Sequence, residues 1–386
     1  MSEKNVKIII GANYGDESKG LVTRNFVKTS EKPIVIFHNG TAQRAHTVDY
    51  NPKFRHIYRH FGCGTADGAP TFYAKTFWVH PMEFHREFNE ITNMGITPFC
   101  YCDPMAPVIT PFDMLVDHTT EAWIAFQHGE REYGSCGYGS WCAIEDRGYD
   151  RVYKISDYIK NLYDIELYHI KFLLENTWRD CMAVLAKRGV NIEQLPAFKK
   201  YFISPERKET TIRHFIDDII FFYQHVTFMP FNDIYNNYND IIFENAQGLG
   251  LDINCGSEWH TTSNTGLTNP VEMLKDKEDF NAEVCYVTRA YITRHGIGPM
   301  GNEAYKKDIN ADMVDKTNVP NEFQGSLRYG YPEDNEQKIR IWKDWSIVQN
   351  DSKYTKTLAI THCNEFPETL PVADYISYNP YSVIKC

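Results

Sequence analysis

The chain has 386 residues and a formal net charge of −11. That length supports one large α/β domain or two to three smaller ones, and the acidic balance argues against a general nucleic-acid binder, which usually carries a basic face. No stretch approaches the roughly 18 to 20 apolar residues of a membrane span, and ten scattered cysteines, with Cys100 and Cys102 lacking a second ligand pair, read as reduced cytosolic thiols rather than zinc ligands.

The N-terminal "MSEKNVKIII" holds a short β-like run, and no cleavable leader is expected there. "VKIII" passes into "GANYGDESKG", Gly11 to Gly20. This resembles a phosphate-binding loop but fails its rule. Lys19 is followed by Gly20 instead of Ser or Thr, and Asp16 and Glu17 lie inside the loop. "SKGLVTRNFVKTS" has helical length, and "KPIVIF" is a second β-branched run that opens into "HNGTAQRAHTVDY". Strand, loop, helix, strand, loop is how parallel α/β sheets begin. Ligand loops in such sheets lie at the C-terminal ends of strands. If the two strands are sheet neighbours, Asp16 and His46 meet at one site as an acidic and a basic partner for proton transfer. Asp16 could instead cap the helix, a position acids favour; the adjacent second loop makes the catalytic reading the stronger one.

Residues 155–225 read as a mainly helical subdomain. "IELYHIKFLLENTWRDCMAVLAKRG" spaces its apolar residues helically and ends in a Lys-Arg-Gly stop, and its aromatic stripe is read as core. The Asn-rich "NDIYNNYND" is read as a surface loop. "DIIFENAQGLGLDIN", "EVCYVTRAYITRHGIGP", "TLAITHCNEF" and "ADYISYNPY" repeat the strand-then-polar-loop theme. With no repeat or linker, 1–386 reads as one continuous α/β domain with insertions.

Six segments, in order, resemble the signatures of adenylosuccinate synthetases. "YGDESKG" and "GTAQRAHTV" are similar to the paired WGDEGKG and GGxNAGHTV of that family. "YGSCGYGSWCAIEDR" resembles GTTxRGIGPAYxDK, and "FENAQGLGLDIN" resembles FEGAQG-x-x-LDID. "TTSNT" resembles TSSNT, and "AYITRHGIGPMGNE" resembles AYxTRVGxGPFPTE. The resemblance implies a large central, mainly parallel β-sheet with flanking helices and a helical insertion, similar to P-loop NTPases. It implies a ligase that phosphorylates the 6-oxo group of a purine nucleoside monophosphate with a nucleoside triphosphate and then displaces the phosphate with L-aspartate.

By the same resemblance, Asp16 is the general base and, with the carbonyl of Ala45, a magnesium ligand. His46 is the general acid at the transferring phosphoryl group. Lys19 and the loop residues Gly15, Glu17, Ser18 and Gly20 hold donor phosphate, with Thr47 beside them. Gln247 steadies the phosphorylated 6-oxo group. The acceptor's monophosphate is expected among Gln43, Ser135 or Cys136, and Thr261 or Thr262. An arginine of a second subunit, Arg147 or Arg151, would reach it in a homodimer. A cytoplasmic setting follows, the host's if the source is viral, with no nucleic-acid or membrane partner.

Three departures matter. The aspartate loop GATTGRxRR is replaced by "NEFQGSLRYGYPED", leaving Arg328 as the carboxylate fork and Ser326 as a hydroxyl donor. The guanine-reading TKLD is "THCN", with Asn364 at the Asp position, and "SYNPYS", with Pro380, replaces STGPDR. A carboxylate only accepts, whereas an amide also donates, so Asn364 suits adenine and the expected donor is ATP or dATP. Both features lean toward a viral branch that acts on dGMP. Asp16, replaced by a small residue in that branch, is intact here, so IMP is favoured and (d)GMP is the alternative. Ser18, where the family has Gly, suggests a backbone without positive φ or a shifted loop. A second alternative is a catalytically inactive nucleotide-binding regulator, against which Asp16, His46 and Gln247 stand together. A P-loop kinase fails because Gly20 replaces the magnesium-holding Ser/Thr.

Overall fold

The computed structural model describes residues 3–129, 137–159, 167–313, 315, 318, 325–332, 334–366 and 372–386. In chain order the strands are β1 (Lys4–Gly11), β2 (Pro33–Phe37), β3 (His46–Asn51), β4 (Phe54–Tyr58), β5 (Thr71–Tyr73), β6 (Cys100–Cys102), β7 (Val226–Phe228), β8 (Asp240–Gly248), β9 (Phe280–Arg289), β10 (Ile292–Arg294), β11 (Glu303–Ala304), β12 (Arg328–Gly330), β13 (Tyr354–Thr361), β14 (Tyr375–Asn379) and β15 (Ser382–Lys385). Ten of them form one sheet in the order β15-β14-β13-β9-β1-β8-β2-β5-β6-β7. Every pairing in it is parallel except β14 with β15.

The central strands are buried on both faces, which is why they read as near-continuous apolar runs. In β1, Ile9 faces one core while Val6, Ile8 and Ile10 face the other, all four fully buried. Each such side chain contributes about 1.5–3 kcal/mol. Helices α1 (Lys19–Lys28), α2 (Pro81–Asn93) and α3 (Pro111–His128) supply core residues on the Ile9 side. The start of α3 is set by "TPFD": Thr110 and Asp113 form a reciprocal capping box around Pro111, and Gly129 ends the helix at φ 75°. Between residues 155 and 225 lie helices Ile155–Ile159, Leu167–Lys187, Pro196–Ile203 and Pro205–His225. Aromatic contacts tie them to the sheet's helices: Phe84 with Phe222 at 4.7 Å and Phe112 with Trp178 at 5.1 Å between ring centroids. Among the described residues no helix is long and apolar enough to cross a membrane.

Two expectations need correction. The Asn-rich stretch is not a loop, because Phe231–Asn237 is a helix. Phe231, Ile234 and Tyr235 bury one apolar stripe on the second face of the sheet, and that burial outweighs the turn propensity of the asparagines. β1 and β2 are also not neighbours, since β8 lies between them. The loops after β1 and β2 still converge, with the end of β8 wedged between. Gly248 makes that wedge possible: a Cβ there would lie 2.5 Å from the Asn13 carbonyl oxygen and 2.8 Å from the Gly15 nitrogen.

Gly248→Ala should therefore destabilise the protein by about 1–3 kcal/mol, as overpacking does, read from chemical denaturation. Wild-type stability in this variant would mean that the loops do not press together as described.

Candidate active site

The loop after β1 is built around a buried carboxylate. Glu17 Oε1 accepts from the amides of Asn13 (3.1 Å) and Gly15 (2.9 Å), and Lys19 Nζ donates to Oε2 at 2.9 Å. Glu17 and Lys19 are both buried, so the Glu17 side chain is engaged within the loop rather than facing donor phosphate. A Cβ at Gly11 would fall 2.5 Å from Glu17 Oε2, which explains that glycine. Gly15, Asp16 and Ser18 all take positive φ, at 94°, 61° and 64°. The expectation that Ser18 marks a relaxed backbone is thus wrong: the left-handed turn is kept, at a cost of roughly 1–2 kcal/mol for a residue with a Cβ.

Ser18 has a partner that accounts for its hydroxyl. Its Oγ lies 3.0 Å from His362 Nε2, and His362 Nδ1 lies 2.9 Å from Glu365 Oε2. Burial and the charge of Arg289 hold the His362 imidazole below its usual value. The neutral ring then donates from Nδ1 to Glu365 and accepts the Ser18 proton at Nε2. Tyr291 donates to Glu365 at 2.5 Å and meets Arg289 Nη1 at 2.9 Å, and Arg289 Nε donates to the Asp16 carbonyl at 2.5 Å. The two residues flanking Glu17 are therefore held by one hydrogen-bonded chain that runs through "THCN".

Asp16 itself points its carboxylate into a cavity of about 890 Å³. Among the described residues the carboxylate accepts no hydrogen bond, and His295 Nε2 stands 4.0 Å away. A partly exposed carboxylate in a cavity that Ala45 also lines offers the hard oxygens that a magnesium ion prefers.

His46, at the start of β3, lines the same cavity. Its Nδ1 hydrogen-bonds to Glu244 Oε1, from the middle of β8. Glu244 is fully buried and also accepts from the Cys63 amide (3.0 Å) and the Cys63 thiol (3.0 Å). Burial alone would raise the Glu244 carboxyl; the His46 bond, the His46 charge and the Arg44 charge outweigh it and hold the group below the usual carboxylate range. His46 is therefore backed by an anion, yet burial, with the charges of Lys19 and Arg44, holds its own imidazole below the usual value against the pull of Glu244. The ring stays neutral until a phosphate charge arrives at the other ring nitrogen, which is left for the cavity. His46, Cys63 and Glu244 also have metal-ligand proximity, but these contacts already satisfy one another. Sequence reading missed Glu244, although an acid inside the apolar run "DIIFEN" must find a buried partner.

The cavity brings together Asp16, Gln43, Ala45, His46, Thr47 and Gln247. Gly15 to Gly20 enter it from the first loop, and Asn364 and Pro380 from the ends of β13 and β14. Gln43 lends its carbonyl oxygen to the Thr41 amide at 2.8 Å. Thr261 and Thr262 stand outside the lining, the Thr262 hydroxyl buried without a hydrogen-bond partner among the described residues. Ser135 and Cys136 lie outside the described residues.

One arginine expectation needs correction, and a second arginine is already engaged within the chain. Arg147 cannot reach toward another subunit, because its side chain is buried and donates to Asp113 Oδ1 at 2.6 Å within a cluster of α3 and helix Leu167–Lys187; Arg151 is exposed. Arg328 does not stand free for a substrate carboxylate. It forms a fork with Glu303 (2.7 and 2.5 Å) and gives Nη1 to the carbonyls of Gly296 and Gly298. Neither Arg328 nor the exposed Ser326 lines the cavity.

A model of the adenylosuccinate synthetase family matches residues 8–324. The chain belongs to the adenylosuccinate synthetase family. It is thereby a carbon–nitrogen ligase of purine nucleotide biosynthesis. The synthetase of Thermosipho africanus is 25% identical over 328 residues, covering 78% of this chain and 67% of the relative. That of Haemophilus influenzae is 24% identical over 321 residues, covering 81% and 67%. Among solved structures, the fully ligated adenylosuccinate synthetase of Plasmodium falciparum superposes with a TM-score of 0.70 at 17% identity, over 94% of this chain and 77% of that one. The succinoaminodeoxyadenylate synthetase (PurZ) of cyanophage S-2L, bound to dGMP and dATP, superposes with a TM-score of 0.63 at 12% identity, over 99% and 95%. At those identities the two structures establish the fold.

Within this synthetase family member, Glu244→Gln keeps the shape of the side chain but removes the anion behind His46. Ligase turnover should fall by about 100-fold or more with an unchanged far-UV circular dichroism spectrum. Unchanged turnover would mean that the dyad is not used.

Proposed function

We propose that the protein joins L-aspartate to C6 of a 6-oxopurine nucleoside monophosphate, IMP first, with ATP or dATP as the energy donor. The observation that carries this reading is the convergence of Asp16, Gln247 and the His46–Glu244 dyad on one cavity, from the ends of the adjoining strands β1, β8 and β2. An amide-like oxygen is a poor leaving group and a poor nucleophile until N1 loses its proton. Asp16 takes that proton, and O6 attacks the terminal phosphorus of the donor as the bond to the bridging oxygen breaks. His46, with Glu244 behind it, donates to and neutralises the transferring phosphoryl group. Gln247 hydrogen-bonds to the phosphorylated oxygen. The aspartate amine then attacks C6, and inorganic phosphate leaves with the former O6. Magnesium, held by Asp16 and the Ala45 carbonyl, would supply charge neutralisation on the donor phosphates.

Asn364 lines the cavity, as do Asn379 and Pro380, and its amide can both accept from the adenine 6-amino group and donate to a ring nitrogen. Lys19 and the amides of the first loop are proposed to hold donor phosphate at the start of α1. Aspartate binding at Arg328 requires its carboxylate to displace Glu303 from the guanidinium fork. A second reading takes (d)GMP as acceptor. It is favoured by the near end-to-end match with the dGMP-bound phage synthetase, whereas the intact Asp16 favours IMP. A homodimer and a cytoplasmic setting belong to the same proposal, on the strength of the family resemblance.

The test is succinylated product formation from magnesium, aspartate, each of IMP, GMP and dGMP, and each of ATP, dATP and GTP. Product is expected with ATP or dATP, and Asn364→Asp should lower use of an adenine donor about tenfold or more. GTP outperforming ATP in the unaltered protein would sink the adenine assignment, and no product in any combination would remove this reading.

A further inference from the structure

We propose that Arg59 binds the 5′-monophosphate of the acceptor nucleotide, supplying from within the subunit a cation that Arg147 cannot provide. The inference rests on the ligase reading above.

Among the described residues, five lysine or arginine side chains line the cavity: Lys19, Arg44, Arg55, Arg59 and Arg289. Four are already engaged. Lys19 is paired with Glu17, Arg55 lies 3.8 Å from Asp49, and Arg289 lies 3.3 Å from Asp315. Arg44 gives its guanidinium to the carbonyls of Glu244 and Asn39. The Arg59 guanidinium has no ion pair and no hydrogen bond among the described residues. It lies 5.9 Å from the centre of the Tyr138 ring, an approach that leaves its donor fork open to an oxyanion. Glu83 also lines the cavity, but Arg86 holds it at 2.8 Å.

Its position is fixed by the backbone. His46 pairs with Tyr58 across the β3–β4 hairpin, so Arg59 is the next residue out from His46's cross-strand partner. The Arg59 amide is gripped by both oxygens of the buried Glu87, at 3.1 and 3.0 Å. The order of the sheet then separates the donor base from the acceptor phosphate. Asn364 and Pro380 follow β13 and β14, on one side of β1. The reacting groups follow β1, β8 and β2. Arg59, with His118 and Tyr138, comes from the hairpin, α3 and the loop after α3, on the β2 side. A purine whose O6 meets the donor phosphate at the middle, with the donor base on the β13–β14 side, carries its own phosphate toward the opposite side, where Arg59 stands.

The measurement is calorimetric binding of IMP, GMP and dGMP, and of inosine, guanosine and deoxyguanosine, to the unaltered protein, Arg59→Met and Arg59→Lys. Arg59→Met should weaken mononucleotide binding by about 10- to 100-fold, the range for losing a charged hydrogen bond, and leave nucleoside binding unchanged. Arg59→Lys should fall between. Equal mononucleotide affinity in Arg59→Met and the unaltered protein would overturn the proposal. So would a parallel loss of nucleoside affinity, since Arg59 would then be supporting the pocket and not the phosphate. Failure of the unaltered protein to bind any of the mononucleotides would overturn the ligase reading, and this proposal with it.

Discussion

One buried carboxylate organises the site. Glu244 lies in β8, wedged between the strands that carry the two reactive loops, where no water can solvate its charge. It must therefore be paired, and its partners are His46 from the hairpin after β2 and the amide and thiol of Cys63. Removing one member of a buried charged pair typically costs about 3–5 kcal/mol. That penalty holds the hairpin, the turn at Cys63 and the central sheet in one arrangement, and it sets which ring nitrogen of His46 faces the cavity.

The first loop uses a related device with a different result. Glu17 turns inward and neutralises Lys19, pinning a run of left-handed residues. Asp16, one residue earlier, is left facing the cavity, with only the distant His295 ring, 4.0 Å away, beside its carboxylate among the described residues. Two adjacent acids thus divide the work: one supports the backbone, and the other faces the cavity. The chain through Arg289, Tyr291, Glu365 and His362 to Ser18 ties this loop to the segment bearing Asn364. The proposed base and the donor-reading residue therefore share a rigid frame.

Much of this was legible in the sequence. β-Branched runs ending in glycine-rich polar loops gave a parallel sheet with ligand loops at one edge, and the six ordered motifs gave the family. The sheet order was not legible, because a crossover can place a later strand between two earlier ones, as β8 sits between β1 and β2. The fates of Arg147 and Arg328 were hidden for a related reason: arginines read as available charges until distant acids, Asp113 and Glu303, are folded against them. The helix Phe231–Asn237 was concealed by its asparagines, although its buried residues have helical spacing. Ser18 and His362, each odd alone, make sense only together across 344 positions of sequence.

The central claim is that the 6-oxo group is activated by phosphorylation before aspartate enters. The most direct measurement is the fate of 18O placed at C6 of the purine mononucleotide, followed by mass spectrometry of the phosphate released during ligation. The account predicts that the label appears in inorganic phosphate in step with succinylated product. Label recovered in water, with unlabelled phosphate, would contradict it.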